Sequence, residues 1–189
     1  MSANPDPDPR IRTATPGDGA GVAAVYAPEV TDGVASFETH PPSTHEMSGR
    51  IARVLPVHPW LVLEEDGRIA GFAYAAPHRD RAAYRWSVDT TVYVGREHQG
   101  RGFGRALYGV LLDTLVRQGF HAAYAGVTLP NPASEALHRS LGFETIGIYP
   151  EVGFKHDAWR DTAWMRRVLT PASGQPAEPI PFRLLDAGA

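Results

Sequence analysis

The chain has 189 residues, of which 43% are hydrophobic, enough for one domain with one buried core. A formal net charge of -3 argues against nucleic acid or an acidic membrane surface as a partner. The sequence contains no cysteine, which excludes disulfides, thiolate nucleophiles and cysteine zinc sites, and we expect no metal.

The two ends of the chain are of low complexity. We predict a disordered N-terminal tail over residues 1–9, one domain over 10–169, and a proline-rich C-terminal tail over 170–189 that is extended or mobile. The start is polar and proline-rich, unlike a signal peptide, and no later stretch is apolar enough to span a membrane. These features predict a cytoplasmic protein.

The N-terminal part of the domain has the pattern of a strand followed by two helices. The sequence predicts a strand at 11–14, a helix at 18–26, and, after a long loop, a helix at 43–53. Ser43 and Glu46 have the spacing of a capping box that opens this second helix.

Three predicted strands follow. Apolar runs at 60–64 and 68–75 meet at Asp66-Gly67, which is a strong hairpin signal, so we expect an antiparallel pair. The segment from Tyr84 to Val94 alternates apolar and polar residues, as in a strand with one buried face.

The C-terminal part is predicted to contain an amphipathic helix at 102–118, a strand at 121–129, a short helix at 132–140, and strands at 143–149 and 163–168. The order β-α-α-β-β-β-α-β-α-β-β predicts an α/β protein with a mixed sheet and helices on both faces.

A glycine-rich turn, QGRGFGR at 99–105, lies between a predicted strand and a predicted helix. Glycine lets the backbone approach an anion closely, and the free N–H groups of the first helical turn favour negative charge. A Walker A loop would require a Gly-Lys-Ser/Thr ending, and a dinucleotide fingerprint would require glycine in place of Arg105. The turn therefore predicts a pyrophosphate site of another kind, unless the glycines only tighten the turn.

The Gln-x-x-Gly-x-Gly pattern of this turn resembles the acetyl-CoA pyrophosphate loop of the GNAT acetyltransferases. The resemblance implies the GNAT fold, with a central, mixed, mostly antiparallel sheet flanked by helices, and acetyl-CoA as co-substrate. It assigns these residues to acetyl-CoA binding: Val92, Tyr93, Val94, Gln99, Gly100, Arg101, Gly102, Phe103, Gly104, Arg105 and Asn131.

The segment NPASEALHRSLGF at 131–143 resembles the late helix of the same superfamily, which carries a proton donor seven residues after its asparagine. The donor is often tyrosine, but here it is His138. Histidine has an ordinary pKa of about 6.5 and suits proton transfer near neutral pH. The alternative is a histidine that is merely exposed on a short helix.

Further stretches resemble the phosphinothricin acetyltransferases in particular: ASFET at 35–39, YAAP at 74–77, VDTTVYV at 88–94 and GFKHDAW at 153–159. That family acetylates the amino group of phosphinothricin, a glutamate analogue, and is typically a homodimer. The resemblance covers about residues 10–168 and implies a small amino-acid-like substrate and a homodimer. An aromatic-rich segment around Phe154, Trp159 and Trp164 is typical of a buried interface.

By this resemblance Asp89 is the base, directly or through water, because the family usually has the longer glutamate at this position. His138 is the acid or a second base, and a backbone N–H near Val94 would polarise the acetyl carbonyl. Substrate-binding residues are expected to be Phe37, Tyr74, Arg79, Arg81 and Lys155.

Structural alternatives remain for these charged residues. In these alternatives Asp89 has no catalytic role and pairs with Arg85 or Arg96 at a strand surface. Arg79 and Arg81 then belong to a solvated charged loop and do not bind the substrate.

Other functions also remain open. In one alternative the acceptor is methionine sulfoximine, methionine sulfone or another small amine. In another, of a different class, the chain is a non-catalytic acyl-CoA-binding module. A nicotinamide-dependent oxidoreductase is the weakest alternative, because the third glycine of its fingerprint is absent.

Overall fold

The computed structural model describes residues 9–172 and 174–185. The helices and strands within them are, in chain order, β1 (Arg10–Thr13), α1 (Gly19–Thr31), α2 (Thr44–Val54), β2 (Trp60–Glu65), β3 (Arg68–Pro77), β4 (Ser87–Val94), α3 (Phe103–Gln118), β5 (Ala122–Thr128), α4 (Pro132–Ser140), β6 (Glu144–Lys155) and β7 (Ala158–Val168). This order confirms the one predicted from the sequence.

The strands form one sheet in the order β1-β2-β3-β4-β5-β7-β6. Every neighbouring pair is antiparallel except β4 and β5, which are parallel. The mixed, mostly antiparallel sheet expected from the sequence is therefore confirmed.

Helices bury both faces of the sheet. On one face, Leu107, Leu111 and Leu115 of α3 recur every four residues and pack in the larger core cluster, because this spacing puts them on one side of a helix. On the other face, α1 and α2 cover a second cluster that includes the stacked rings of Trp60 and Phe72.

Three elements extend at least five residues beyond their predicted bounds: α1, β6 and β7, which begins at Ala158 because it pairs there with the extended end of β6. Helix α1 continues beyond Tyr26 and through Pro28, since Val30 is only 2% exposed and its packing holds the last turn. Strand β6 continues beyond Tyr149 past an irregularity in its pairing with β7. There the N–H of Glu151 donates to the Asp161 carboxylate at 2.8 Å, which supports the backbone where regular pairing stops.

Part of the C-terminal tail is extended and attached to the domain. Ile180 donates its N–H to the Gln118 carbonyl at 2.8 Å and accepts from the Gln118 side chain at 2.7 Å. The Trp86 indole N–H donates to the Ala177 carbonyl at 2.7 Å. The division of the chain at residue 170 stays a prediction, and most of the predicted N-terminal tail, residues 1–8, lies outside the described residues.

Within the described ranges, no helix has the length and apolar character needed to cross a membrane.

Candidate active site

The sheet opens between its two parallel strands. Strands β4 and β5 pair only where Ser87–Asp89 lies beside Ala122–Tyr124. Beyond Asp89 and Tyr124 both strands continue unpaired with each other, and a cavity of about 90 Å³ lies between them. Asp89 is therefore at the apex of a gap in the sheet.

A larger cavity of about 740 Å³ adjoins this gap and shares Ala35, Val92, Tyr93, Asn131 and Ser134 with it. Of the residues predicted to bind acetyl-CoA, those that line the larger cavity are Val92, Tyr93, Val94, Gln99, Gly100, Gly102, Phe103, Gly104, Arg105 and Asn131. The structure thus brings ten of the eleven together around one space.

The glycine turn leaves room for an anion in front of α3. Gly100 and Gly102 have φ values of +76° and +83°, and a Cβ atom added to either would meet no heavy atom within 4 Å. Helix α3 starts directly after Gly102, so its first N–H groups face the same region. The residues present therefore fit the diphosphate of acetyl-CoA.

The two arginines of the turn differ in position. Arg105 is exposed, lines the larger cavity and makes no ion pair with any residue of 9–172 or 174–185. Arg101 instead binds the Glu65 carboxylate through both terminal nitrogens, one at 2.7 Å, and lies over the Phe103 ring. The side chain of Arg101 is thus held outside the cavity, which differs from its predicted role in phosphate binding.

Two polar side chains of the cavity wall support the local backbone. The Gln99 amide donates to the Val94 carbonyl at 3.2 Å, next to the end of β4. The Asn131 side chain accepts from the Ser134 N–H at 3.1 Å and caps α4. Both residues therefore fix the shape of the cavity as well as lining it.

Asp89 is hydrogen-bonded to a residue that the sequence analysis did not select. The Nδ1 atom of His78 lies 2.6 Å from Oδ1 of Asp89. Burial raises the pKa of Asp89 above its ordinary value, and the hydrogen bond from His78 and the nearby Arg79 oppose this rise. The predicted alternative of a pair with Arg85 or Arg96 is wrong, because those residues bind Glu178 and Asp32 respectively.

Sheet register explains this pairing. Asp89 lies opposite Ala76 in the ladder between β3 and β4, and His78 follows Ala76 by two residues. Because side chains alternate along a strand, His78 continues the face that Ala76 and Asp89 share. Residue spacing alone does not reveal this contact, since it depends on where the ladder ends and the loop begins.

A second polar pair lies on the opposite face of the sheet. The Tyr108 hydroxyl lies 2.9 Å from Nε2 of His138, and His138 Nδ1 lies 2.7 Å from the Ser134 carbonyl. A carbonyl can only accept, so Nδ1 carries the proton and Nε2 accepts from Tyr108 when the ring is neutral. Burial lowers the pKa of His138, which favours this neutral form.

His138 is 4% exposed, so the alternative of a merely exposed histidine is wrong. Tyr108 was also not selected from the sequence, because its position on α3 is that of an ordinary core residue. It lines the gap together with His138, and its oxygen lies 3.4 Å from the Thr90 hydroxyl oxygen. Thr90 follows Asp89 directly in β4, so the two polar pairs flank one apex from opposite faces.

The predicted acceptor-binding arginines lie on the loop after β3. Arg79 donates to the His78 carbonyl at 2.8 Å, and its guanidinium lies 5.7 Å from the centre of the Trp164 ring. Arg81 is exposed at the start of a short 3-10 turn, where it forms no ion pair within the described part of the chain. Arg79 is therefore close to Asp89, and Arg81 stays available to an anion.

Tyr74 connects Asp89 with an aromatic cavity under α2. This cavity has a volume of about 160 Å³ and is lined by Tyr26, Met47, Arg50, Arg53, Val54, Trp60, Phe72, Tyr74 and Tyr93. Tyr74 stacks on Trp60 at 4.2 Å, and burial raises its pKa, with smaller contributions from the charges of Glu38 and Asp89. The predicted role of Tyr74 in lining a pocket fits this position.

Phe37 and Lys155 hold a loop against the edge of the sheet. Phe37 is 40% exposed and packs so closely on Gly153 that a Cβ there would come within 2.5 Å of its ring. The Lys155 ammonium is buried and donates to the main-chain carbonyls of Ser36 at 2.6 Å and Glu29 at 3.3 Å. Burial lowers the pKa of Lys155. Its charge is directed at the backbone, which differs from the predicted contact with substrate.

The comparisons with known proteins agree with this geometry. Residues 28–143 match the model of the acetyltransferase (GNAT) family. The chain is 38% identical over 171 residues to a phosphinothricin N-acetyltransferase of Streptomyces viridochromogenes, with 90% of this chain and 93% of that protein covered. The chain belongs to the GNAT family of acetyltransferases, and within it to the phosphinothricin N-acetyltransferases.

Two further relatives are informative. An L-methionine sulfoximine/L-methionine sulfone acetyltransferase of Salmonella typhimurium is 36% identical over 160 residues, covering 84% of this chain and 94% of that protein. A solved phosphinothricin acetyltransferase of Sinorhizobium meliloti in complex with acetyl-CoA has a TM-score of 0.86 and 36% identity, over 91% of this chain and 95% of that one. The GNAT fold and the family membership are therefore confirmed.

Proposed function

We propose that this acetyltransferase transfers the acetyl group of acetyl-CoA to the primary amine of phosphinothricin or a similar amino acid. One observation carries the proposal. Two hydrogen-bonded pairs that can hold or move protons, His78–Asp89 and Tyr108–His138, flank the apex of a gap that joins an anion-binding turn.

Acetyl-CoA would be held by the large cavity, with its diphosphate at Gly100 and Gly102 and the N-terminus of α3. Arg105 would add positive charge there. The pantetheine arm would follow the gap between β4 and β5, because the two cavities share residues of both β4 and the α4 N-terminus. We expect binding in the low micromolar range or tighter.

The acceptor would lie on the face that carries Asp89. Arg79 and Arg81 would bind its carboxylate or phosphinate, since planar guanidinium groups match such anions in pairs of hydrogen bonds. Tyr74 would form the wall next to the amine, and Phe37 would close the outer side. Lys155 would act indirectly by fixing the loop that carries Phe37.

The reaction needs a proton acceptor on the amine side and stabilisation of charge on the thioester side. The amine loses a proton at the Asp89 pair before its nitrogen attacks, because an ammonium has no lone pair. Charge that develops on the acetyl oxygen would be met by a backbone N–H near Val94, and Tyr108 would turn its O–H from His138 toward the departing sulfur.

Methionine sulfoximine or methionine sulfone is the second candidate acceptor. The observation that favours it is the 36% identity to an acetyltransferase named for these compounds. A non-catalytic acyl-CoA-binding module is disfavoured, since binding alone requires neither polar pair.

A homodimer is part of the proposal. Strand β6 is at the edge of the sheet, and β6 and β7 carry exposed apolar side chains there: Ile146, Ile148, Tyr149, Val152, Phe154 and Trp159. Phe154 and Trp159 are 58% and 60% exposed and contact each other across the strands. Such an aromatic surface favours association of two copies.

A cytoplasmic location stays a prediction from the sequence.

The test is turnover with acetyl-CoA and a panel of amino acids, monitored by released thiol. Asp89→Asn keeps the shape of the side chain but cannot carry its charge, so turnover is expected to fall by roughly 100- to 10,000-fold. Affinity for acetyl-CoA should be nearly unchanged. Asp113→Asn, an exposed substitution of the same kind on α3, is the matched control. A fully active Asp89→Asn enzyme would contradict the assignment of this residue.

A further inference from the structure

His78 and Asp89 form a pair in which only one partner needs to exchange a proton with the substrate. We propose that His78 is the general base that accepts the amine proton, and that Asp89 is a positioning residue that orients its imidazole. This inference rests on the proposed acetyl transfer and names the group that performs its first step.

The hydrogen bond between the two residues determines which ring nitrogen is available. An ionised carboxylate only accepts, so the His78 Nδ1 at 2.6 Å carries a proton and donates it to Asp89. The other nitrogen, Nε2, then has the free lone pair. It makes no hydrogen bond within residues 9–172 and 174–185, and it is not sealed from solvent. Nε2 can therefore meet an incoming amine.

Three aromatic rings fix the imidazole. His78 stacks on Tyr124 with ring centres 4.4 Å apart and meets the edges of Tyr84 at 5.8 Å and Trp164 at 6.1 Å. Tyr124 lies beside Asp89 in the parallel ladder, at the apex of the gap. A ring held on several sides and oriented by a carboxylate has the arrangement expected of a base set in place before substrate binds.

The length of the Asp89 side chain supports the same assignment. The resembling family usually has glutamate here, whose longer arm reaches further from the strand. Asp89 is shorter by one methylene, and its Oδ1 is already used by His78. The imidazole extends the reach of this position instead, and no bridging water is required.

The charged and titratable groups around His78 are few. Asp89 faces it from β4, Tyr84 from the short turn before β4, and Tyr124 from β5. Arg79 is adjacent in the chain, and its charge also acts on Asp89. Asp89 is thus the anion that stabilises the imidazolium once His78 has taken a proton.

The proposed step balances without another reactant. One proton moves from the substrate ammonium to Nε2, and the freed lone pair forms a C–N bond with the acetyl carbonyl carbon. The C–S bond then breaks, the thiolate of CoA leaves, and His78 returns its proton to solvent. The acylated nitrogen loses its remaining extra proton in the same way.

The test compares His78→Phe with the wild type, because phenylalanine keeps a ring against Tyr124 but has no nitrogen. We expect the kcat for phosphinothricin to fall by on the order of 100- to 10,000-fold, with unchanged acetyl-CoA affinity. The double variant with Asp89→Asn should be no slower than His78→Phe, since both changes disable one unit. His45→Phe, at an exposed position on α2, is the matched control.

The pH profile of kcat/KM separates a base from a structural residue. The wild type should gain activity with rising pH along a limb that is absent in His78→Phe, because a general base must be deprotonated to act. A limb from the amine itself at higher pH should persist in both. Wild-type turnover in His78→Phe, or the same limb retained in that variant, would overturn the inference.

If His78→Phe fails to fold, His78→Gln, which keeps a polar side chain after β3, serves for the same comparison. Failure of the inference is also distinct from failure of the proposed function. Thiol release that survives His78→Phe removes only the inference, whereas no thiol release from the wild type with any amine removes the proposed function.

Discussion

The glycine turn before α3 gives a prediction about acetyl-CoA affinity that can be separated from folding. The perturbation is Gly102→Ala. Gly102 has a φ of +83°, and an added Cβ would meet no protein atom within 4 Å, so the strain is confined to its own backbone. An L-residue in this conformation costs about 1–2 kcal/mol. For a protein of this size that corresponds to a melting temperature lowered by roughly 2–8 °C.

Gly119 provides a matched control at the opposite end of the same helix. It has a φ of +86° and equally open space around its missing Cβ. Gly119→Ala should therefore lower the melting temperature by a similar amount. It lies outside the residues that line the acetyl-CoA cavity, so it should leave binding unchanged.

The two variants should differ in acetyl-CoA binding. In Gly102→Ala the new methyl group lies where the diphosphate must approach the backbone, so affinity should fall at least about tenfold, or ~1.4 kcal/mol. Isothermal titration calorimetry measures the affinity and differential scanning calorimetry the stability. If folded Gly102→Ala binds acetyl-CoA as tightly as Gly119→Ala, the anion-binding role of the turn is refuted.

Two further predictions concern stability and assembly. Burial lowers the pKa of His58 from 6.5 to about 4, so its neutral form contributes stability that is fully present above pH 6.5 and is lost as pH falls toward 4. This pKa difference corresponds to about 3 kcal/mol of folding stability. The free energy of unfolding of His58→Phe, measured in urea, should therefore fall less than that of the wild type as the pH decreases from 6.5 to 4. An equal fall in both proteins would contradict this prediction. Trp159→Arg should dissociate the proposed dimer by placing a charge in its aromatic surface, and light scattering that still gives a dimer would exclude this surface.

The sequence predicted the cofactor side of the site more completely than the acceptor side. The glycine turn depends on local spacing, because its residues are neighbours in the chain and its chemistry follows from backbone conformation alone. The order of helices and strands was predictable for the same reason, since the periodicity of each segment is local. Arg101 was the exception, because its partner Glu65 lies on a distant hairpin.

The acceptor side depends on contacts between distant segments. His78 was missed because its contact with Asp89 is set by the register of β3 against β4, which spacing does not reveal. Tyr108 was missed because helical periodicity makes it a core residue, while the partner of its hydroxyl is on α4. The sequence signal that would have drawn attention to His78 is its polar ring directly after an apolar strand.

Contacts between distant segments also explain why the role predicted for Lys155 differs from its position in the structure. The family resemblance implied a substrate contact for Lys155, but its partners are two carbonyls more than a hundred residues away in the chain. Burial of its ammonium requires those carbonyls, and only the fold brings them there.

The measurement that tests the central claim most directly is product formation by the wild-type enzyme from acetyl-CoA and phosphinothricin. The account predicts that free CoA thiol and N-acetylated phosphinothricin, identified by mass spectrometry, appear in equal amounts and at the same rate. Acetyl-CoA that binds to the enzyme but releases no thiol, with phosphinothricin, methionine sulfone or any other amino acid tested, would contradict it.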